Sequence, residues 1–406
     1  MHIFGGTYLE YVIEPRWYEL FGSGLRAACA LSRLSSGINF HTYINDFHKS
    51  VLEARADSFN IHLQTTITRP NAISFEYFTS LSSPIVVGYS DKDKTCESIQ
   101  FTSDDAILRY GMMEGDAIVH GKRVVYDPQS PMIPKVFYDN GSTAEELAII
   151  LNRREAIALS GKNDEKEIIA ELFACPSTSI IIIKDGPWGA ALYCRGQEKI
   201  QIPAYKTDFV FSVGSGDIFS ALFAFFWAEQ RDQPHSAAEK ASMATAIYVS
   251  SQGAHLPLTE NQIAKRQQIP CEYGNINISE KKVYLAGPFF TLESRWFVEE
   301  TLRIFRSMGI SVFSPLHDIG FGTPQKVYPA DINGLLSCNI IFANLCGLDS
   351  GTLYEIGYAR AKGIPVVVFI QNNRREDLTM LIGSECKIFQ DYTSAIYNTI
   401  WDVAAL

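Results

Sequence analysis

Two stretches of this chain hold residues whose types and spacing can do chemistry. The first is Leu348 to Ile370, LDSGTLYEIGYARAKGIPVVVFI, which joins a polar turn, an acidic helix start and a buried strand. Thr352 followed three residues later by Glu355 is a capping-box pattern. Gly363 is a helix stop, Pro365 prevents continuation, and Ile364 to Ile370 reads as a strand buried on both faces. Glu355 is therefore expected in the first turn of a helix, where free backbone N–H groups and the positive dipole end favour an ionised carboxylate. Such a group is available as a nucleophile or a base. The simpler reading is that Glu355 only caps its own helix.

The second stretch is Val210 to Gln230, VFSVGSGDIFSALFAFFWAEQ. Gly214, Ser215 and Gly216 free consecutive backbone N–H groups at the start of an apolar helix, a geometry that cradles a transferring phosphate. Asp217 follows where an incoming hydroxyl can surrender its proton. Its alternative is an acid that merely supports the helix dipole.

The elements that must position these residues are α/β in pattern. Around the first stretch, Lys282 to Gly287 reads as a strand opening onto Gly287-Pro288, Leu292 to Met308 as a helix, and Ile310 to Phe313 as a second strand. Pro329 to Ser337 is a short helix containing Asp331, and Asn339 to Leu345 is a third strand running into Asp349. In a parallel sheet with helical crossovers, ligands bind outside the carboxyl ends of the strands, so Tyr284, Asp331, Asp349 and Glu355 can converge there.

These residues resemble the nucleoside 2-deoxyribosyltransferases from about Lys281 to the end of the chain. The resemblance rests on Tyr284 to Phe290 (YLAGPFF), on the Asp331 helix ahead of Cys338-Asn339, and on Asp349 to Ala359 (DSGTLYEIGYA). It implies that Glu355 attacks C1′ of a sugar to form a covalent glycosyl-enzyme, that Tyr284 orients it, and that Asp331 handles the proton of the leaving base. Asp349 then holds the sugar end, beside Gly287 as a second substrate-binding residue. Related nucleoside monophosphate glycosidases tend to have serine where Asp349 stands, and a carboxylate there repels phosphate, so an uncharged 5′ end is implied. A retaining exchange needs such a pair, one ionised carboxylate at the anomeric carbon and one acid near the leaving group.

Nearer the start, Met1 to Ile13 is strand-like around Gly5-Gly6, and Phe21-Gly22-Ser23-Gly24 leads into an alanine-rich helix ending near Leu34. Those glycines either admit a small ligand to the backbone or form a plain strand-to-helix turn. Ile85 to Gly88 and Ala117 to Val119 read as short strands. Val124 to Pro128 reads as another, ending at an aspartate where a strand edge would meet a ligand, and Ser179 to Ile183 is a buried strand entering Lys184-Asp185-Gly186. The order GSG, Asn152-x-x-Glu155, Lys184-Asp185-Gly186-x-x-Gly189, GSGD and Gly253-Ala254 resembles the PfkB carbohydrate and nucleoside kinases, the ribokinase family, over about Met1 to Pro257.

That resemblance implies Asp217 as catalytic base and Gly214, Ser215 and Gly216 as the anion hole. Lys184, Gly186 and Gly189 join them in holding ATP, and Asn152 and Glu155 organise Mg²⁺ through its waters. Phosphoryl transfer rests chiefly on such positioning and charge neutralisation. The departures fall at the acceptor site. Tyr8-Leu9-Glu10 replaces an Asn-x-Asp, Arg26 stands near a usual asparagine, and Phe211-Ser212 replaces an Asp-Thr. Glu10 and Arg26 become the acceptor-binding candidates, and Tyr8, Tyr11 and Trp17 offer rings for stacking on a base.

The chain of 406 residues is expected to form a ribokinase-like three-layer α/β domain at 1–265, a linker at 266–280 and a smaller flavodoxin/Rossmann-like parallel-sheet domain at 281–406. A helix from Glu260 to Gln268 is expected before the linker. A formal net charge of −10 argues against nucleic acid as a main partner. The eight cysteines show no zinc-type spacing and read as reduced, mostly buried thiols. With no leader and no apolar run of membrane length, the sequence points to a cytoplasmic protein with a small-molecule nucleoside or nucleotide substrate, assembled as a homo-oligomer.

Two functions fit. One is a bifunctional nucleoside enzyme that breaks or exchanges an N-glycosidic bond and phosphorylates a nucleoside or pentose. The other is a regulatory or antiviral-defence effector that hydrolyses NAD or nucleotides, with the PfkB-like domain as a nucleotide sensor.

Overall fold

The computed structural model describes residues 1–90, 97–129, 134–265, 271, 280–372 and 374–406. It separates into two compact units, Met1–Tyr205 with Phe211–Pro270, and Lys206–Val210 with Cys271–Leu406. Of the expected linker at 266–280, all but Cys271 and Glu280 lies outside the described residues. The same holds for the end of the expected Glu260 to Gln268 helix, whose described part is Glu260–Lys265.

The first unit is built on a ten-stranded sheet. Its order is Ile200–Ile202, Ala190–Cys194, Thr178–Lys184, Thr143–Asn152, Ala117–Asp127, Ile107–Tyr110, His2–Phe4, Ile38–Asn45 and Ile61–Arg69, with Ile99–Ser103 also paired to Ala117–Asp127. Pairing is parallel except where Ala190–Cys194 and Ile200–Ile202 close one edge. Alternate residues of the central strands enter different cores. Ile180, Ile182, Ala148 and Ile150 pack with the helices Gly22–Leu31, Ser215–Phe223 and Pro234–Val249, whereas Ile181, Ile183, Ile149 and Leu151 pack with Ala156 and Ile168 of Arg153–Ser160 and Glu165–Leu172. Three layers result. Burial on both faces is why these strands read as unbroken apolar runs.

Three boundaries differ from the sequence reading. Met1 to Ile13 is two strands, His2–Phe4 in the large sheet and Leu9–Glu14 in a separate four-stranded sheet, because the chain leaves the first sheet at Gly5-Gly6. Ala117 to Val119 and Val124 to Asp127 are one strand of 11 residues that continues through the polar run His120 to Arg123. The helix from Gly22 ends at Leu31. The small sheet has the order Trp17–Leu20, Leu9–Glu14, Ser74–Thr79 and Ile85–Val87.

The second unit holds five parallel strands in the order Ser311–Phe313, Lys282–Ala286, Ile340–Asn344, Val366–Phe369 and Lys387–Phe389. Second, first, third, fourth, fifth is the flavodoxin-like order, with its switch point between Lys282–Ala286 and Ile340–Asn344. Tyr284, Ile341, Ala343, Val366 and Val368 fill one core with Ile356 and Ala359. On the other face Phe342 meets Phe305 and Tyr392 edge-on. The helix carrying Asp331 spans Pro324–Leu336, beginning five residues before the expected start. Pro324 takes the first position, where a missing N–H costs nothing, and Pro329 lies inside the helix. No described helix is long and apolar enough to cross a membrane.

Gly24 resolves the two readings of the early glycines, because its neighbour is backbone. A Cβ there would lie 2.7 Å from the Gly5 carbonyl carbon and 2.7 Å from the Phe40 ring, so the helix Gly22–Leu31 reaches the sheet only with glycine at this contact. Gly24→Ala is expected to lower the stability of the first unit by about 1–3 kcal/mol, the usual cost of overpacking. Urea unfolding measures it, and a midpoint equal to wild type would show that the contact yields.

Candidate active site

In the second unit the carboxyl ends of two strands and two helix faces meet. Tyr284, buried on Lys282–Ala286 and stacked on Phe313 with ring centroids 5.6 Å apart, donates its hydroxyl to Glu355 Oε1 at 2.6 Å. The helix bearing Glu355 is Ser350–Ala361, and its cap is Asp349, whose Oδ2 accepts from Thr352 N at 2.8 Å and Thr352 Oγ1 at 2.9 Å. Thr352 is thus no cap, and the expected capping box with Glu355 does not form. Glu355 lies six residues beyond the cap, past the first turn. Its charge is therefore not set by free N–H groups at a helix end.

Its environment acts in the opposite direction. Burial pushes the Glu355 carboxyl up to about 7, the charges of Asp331 and Asp349 push the same way, and the Tyr284 hydrogen bond partly offsets them. Burial beside Glu355 and Asp331 also raises the Tyr284 hydroxyl. Asp331 is half-buried, burial raises its carboxyl, and its Oδ1 is enclosed with no hydrogen-bond partner among the described residues. An orphaned carboxyl oxygen costs free energy that a ligand's donor, or a proton to be delivered, would recover. Gly287 follows the Tyr284 strand with its Cα side against Asn344, where a Cβ would come within 3.2 Å. Tyr284, Asp331, Asp349 and Glu355 are thus brought together.

The first unit gathers a second cluster. Asp217, third residue of the helix Ser215–Phe223, accepts from Arg26 Nη1 at 2.6 Å on Oδ2 and from Gln129 Nε2 on Oδ1. Arg26 also donates to Glu10 through both Nη1, at 3.1 Å, and Nη2, and from Nε to Tyr248 Oη at 3.0 Å. Burial raises the Glu10 carboxyl, with Arg26 opposing. Gly214 has φ +75° and lies so close to the Arg26 guanidinium that any Cβ would overlap it.

Beside this, Lys184 Nζ donates to Asp127 Oδ2 at 2.6 Å, as does Ser220 Oγ at 2.6 Å, and a Cβ on Gly216 would come within 3.2 Å of Lys184 Nζ. Asn152 and Glu155 close a reciprocal capping box on Arg153–Ser160. Burial, and then the charge of Asp127, lift the Glu155 carboxyl to about 7. Gly186 and Gly189 lie in the turn joining Thr178–Lys184 to its antiparallel neighbour, with Asp185 N bonded to Gly189 O at 2.8 Å.

With the geometry described, the comparisons can be placed on it. Residues 119–261 match the model of the pfkB family carbohydrate kinases, and residues 283–388 match that of the nucleoside 2-deoxyribosyltransferases. One chain carries both domains. The transferase-like match spans Tyr284, Asp331, Asp349 and Glu355, while the kinase-like match begins after Glu10 and Arg26.

Among solved structures, a nucleoside kinase of Methanocaldococcus jannaschii, an archaeal member of the ribokinase family, is 13% identical with a TM-score of 0.50, covering 65% of this chain and 98% of that one. Arabidopsis thaliana ribokinase complexed with ribose and ATP is 16% identical, TM-score 0.47, over 65% and 97%. A Vibrio cholerae O395 fructokinase double mutant, in fructose, ADP and potassium ion bound form, is 11% identical, TM-score 0.49, over 65% and 96%. The likeness to the archaeal kinase makes the fold of the kinase-like domain ribokinase-like. No curated protein matches the chain.

Of the three rings expected to stack on a base, Tyr8 is spent in the kinase-like domain. It is buried, its hydroxyl donates to Glu114 at 2.7 Å, and the Arg69 guanidinium lies over its ring. Tyr11 faces the opposite side of its strand from buried Glu10, and Trp17 packs on Phe21 and Phe211. Asp127 was legible as an acid ending a strand. The partners Gln129 and Tyr248 had no local signal, since they meet Asp217 and Arg26 from 88 and 222 residues away. Cys29, Cys175, Cys194, Cys338, Cys346 and Cys386 are free thiols, and Cys96 lies outside the described residues.

The raised Glu355 carboxyl links stability to pH. Its folded-state value, about 7, exceeds the ordinary 4.5, so the stability of the folded unit is fullest below 4.5 and falls as pH rises through 7. Glu355→Gln removes the ionisation and is expected to raise the unfolding free energy by about 1–3 kcal/mol at pH 8 and by little at pH 5. Thermal shifts of both proteins at the two pH values test this, and equal shifts at both would contradict it.

Proposed function

We propose that the transferase-like domain breaks or exchanges the N-glycosidic bond of a nucleoside through Glu355. In its ionised form Glu355 attacks C1′ as the C1′–N bond breaks, Asp331 gives a proton to the departing base, and a glycosyl ester on Glu355 results. A second base, or water, then attacks C1′ and releases the sugar from the carboxylate. The observation that carries this reading is the 2.6 Å hydrogen bond from Tyr284 to Glu355 beside the orphaned oxygen of Asp331. That bond orients one carboxylate oxygen and leaves the other for C1′. Asp349, holding Thr352 through one oxygen, adds negative charge that disfavours a 5′-phosphate.

In the same reading the kinase-like domain transfers the γ-phosphoryl group of ATP to a nucleoside or a pentose. Gly214 to Gly216 and Lys184 would hold the phosphates and Asp217 would take the acceptor's proton. The donor set suits Mg²⁺ held through water. Among the described residues Asp127 keeps a buried Oδ1 without a partner, Glu155 lies near it, and no group of three or more ligating side chains forms. Bound there, the ion would neutralise phosphate charge. One observation favours the other reading, a nucleotide sensor beside a domain that hydrolyses NAD or nucleotides: the Asp217 carboxylate is held by Arg26.

Incubation with a nucleoside panel, followed by chromatography of free bases, tests the main proposal. Wild type should release base with kcat/KM rising about tenfold per pH unit below 7 as Glu355 ionises, and falling again where Asp331 loses the proton it must give. Glu355→Ala should lose at least about 10³-fold in rate while staying folded. A folded variant that cleaves at the wild-type rate would leave Glu355 without a catalytic role.

A further inference from the structure

Asp217 is the group the proposed phosphoryl transfer needs free, and both of its oxygens are engaged, one by Arg26 and one by Gln129. The guanidinium is fixed from several sides. It binds Glu10 through both terminal nitrogens and Tyr248 through Nε, and Tyr248 donates in turn to the Val213 carbonyl at 2.9 Å, just ahead of Gly214. Arg26 is 1% exposed and lies against Gly214 itself. It is wedged between the loop that would hold the phosphates and the strand Leu9–Glu14.

Folding alone does not call for this arrangement. Glu10 and Arg26 already make a bidentate pair, and Asp217, in the first turn of its helix, has a favourable dipole without any guanidinium. Bringing a second carboxylate to the same buried cation leaves the trio with one excess negative charge, a costly state unless it has a use. Its effect is to occupy the acceptor side of the loop and the oxygen that would take a proton.

We propose that Arg26 is a lock on the kinase-like centre: held by Glu10 and Tyr248, it fills the acceptor position and holds Asp217, so that until an acceptor displaces the guanidinium the domain retains its nucleotide and hydrolyses it only slowly. The proposal rests on the reading of Gly214 to Asp217 as a phosphoryl-transfer centre. When the guanidinium is absent, water enters its place. The water oxygen attacks the γ-phosphorus, its proton passes to Asp217 Oδ2, and the bond from the γ-phosphorus to the β,γ-bridging oxygen breaks, giving ADP and phosphate.

The test uses the full chain with ATP and Mg²⁺, binding measured by calorimetry and hydrolysis by phosphate release. Glu10→Gln with Arg26→Gln removes both charges together, so Glu10 is not left as a buried unpaired acid. Wild type should bind ATP and hydrolyse it slowly. The double variant should bind it similarly and hydrolyse it at least about tenfold faster. Adding Asp217→Asn should return the rate to the wild-type level, and millimolar guanidinium ion should suppress the double variant, which loss of structure alone would not produce. A double variant that binds ATP but hydrolyses it at the wild-type rate, or a gain that survives Asp217→Asn, overturns the lock and leaves the phosphoryl-transfer reading standing. Failure of wild type and variant alike to bind ATP removes that reading and the lock with it. Should the double variant not fold, Arg26→Lys keeps the buried charge but cannot span Glu10 and Asp217 at once. Its hydrolysis should rise with the same dependence on Asp217, and an unchanged rate overturns the proposal.

Discussion

Taking a carboxylate out of water costs several kcal/mol unless a donor or a cation meets it, and at Glu355 the donor among the described residues is a single tyrosine hydroxyl. The rest of the transferase-like domain follows from that contact. Tyr284 is held by burial in a parallel strand and by stacking on Phe313, so its hydroxyl has one direction available. The helix from Ser350 must begin early enough to bring Glu355 opposite it, and the Asp349 cap sets that beginning. Burial, only partly offset by one neutral hydrogen bond and reinforced by Asp331 and Asp349 nearby, leaves the carboxyl poised near 7, where it is ionised for a useful fraction of the protein at neutral pH.

The kinase-like domain meets the same cost with charge. Asp127 has Lys184, Glu114 has Arg69, and Glu10 and Asp217 share Arg26. Asp127, Lys184 and Arg69 end strands of the large sheet, where a doubly wound sheet has its ligand crevice. Beside Lys184, the Asp127 Oδ1 is buried with no hydrogen-bond partner among the described residues, whereas Arg26 occupies Asp217 Oδ2. The two sides of this cluster therefore differ: Asp217 has a hydrogen-bond donor on each oxygen, and Asp127 has donors on Oδ2 alone among the described residues.

Much of this was legible from local pattern. The runs at Thr178–Lys184 and Val366–Phe369 announce strands buried on both faces, whereas the capping box that Asn152 and Glu155 close was not read from their spacing, which entered only as a metal-organising pair through the family resemblance. Tyr284, Asp331, Asp349 and Glu355 could be named as candidates because each lies in a strand, a helix or a helix cap with a distinctive neighbour. Two things were hidden. Asp349 and Thr352 both look like caps, and only the packed helix decides between them. The Arg26 to Asp217 pair joins residues 191 apart, and no local spacing records such a contact. Tyr8 misled for a related reason, since nothing near it shows that Glu114 and Arg69 will enclose it.

The most direct test of Glu355 as nucleophile is to trap the ester. Incubation with a 2′-deoxy-2′-fluoroarabino nucleoside, whose electron-poor C1′ slows breakdown of a glycosyl intermediate, is followed by peptide mass spectrometry. The account predicts one added fluoropentosyl group on the peptide containing Glu355, and none in Glu355→Ala. Release of base from an ordinary nucleoside by an enzyme that takes up no such group, or takes it up on another residue, would contradict it.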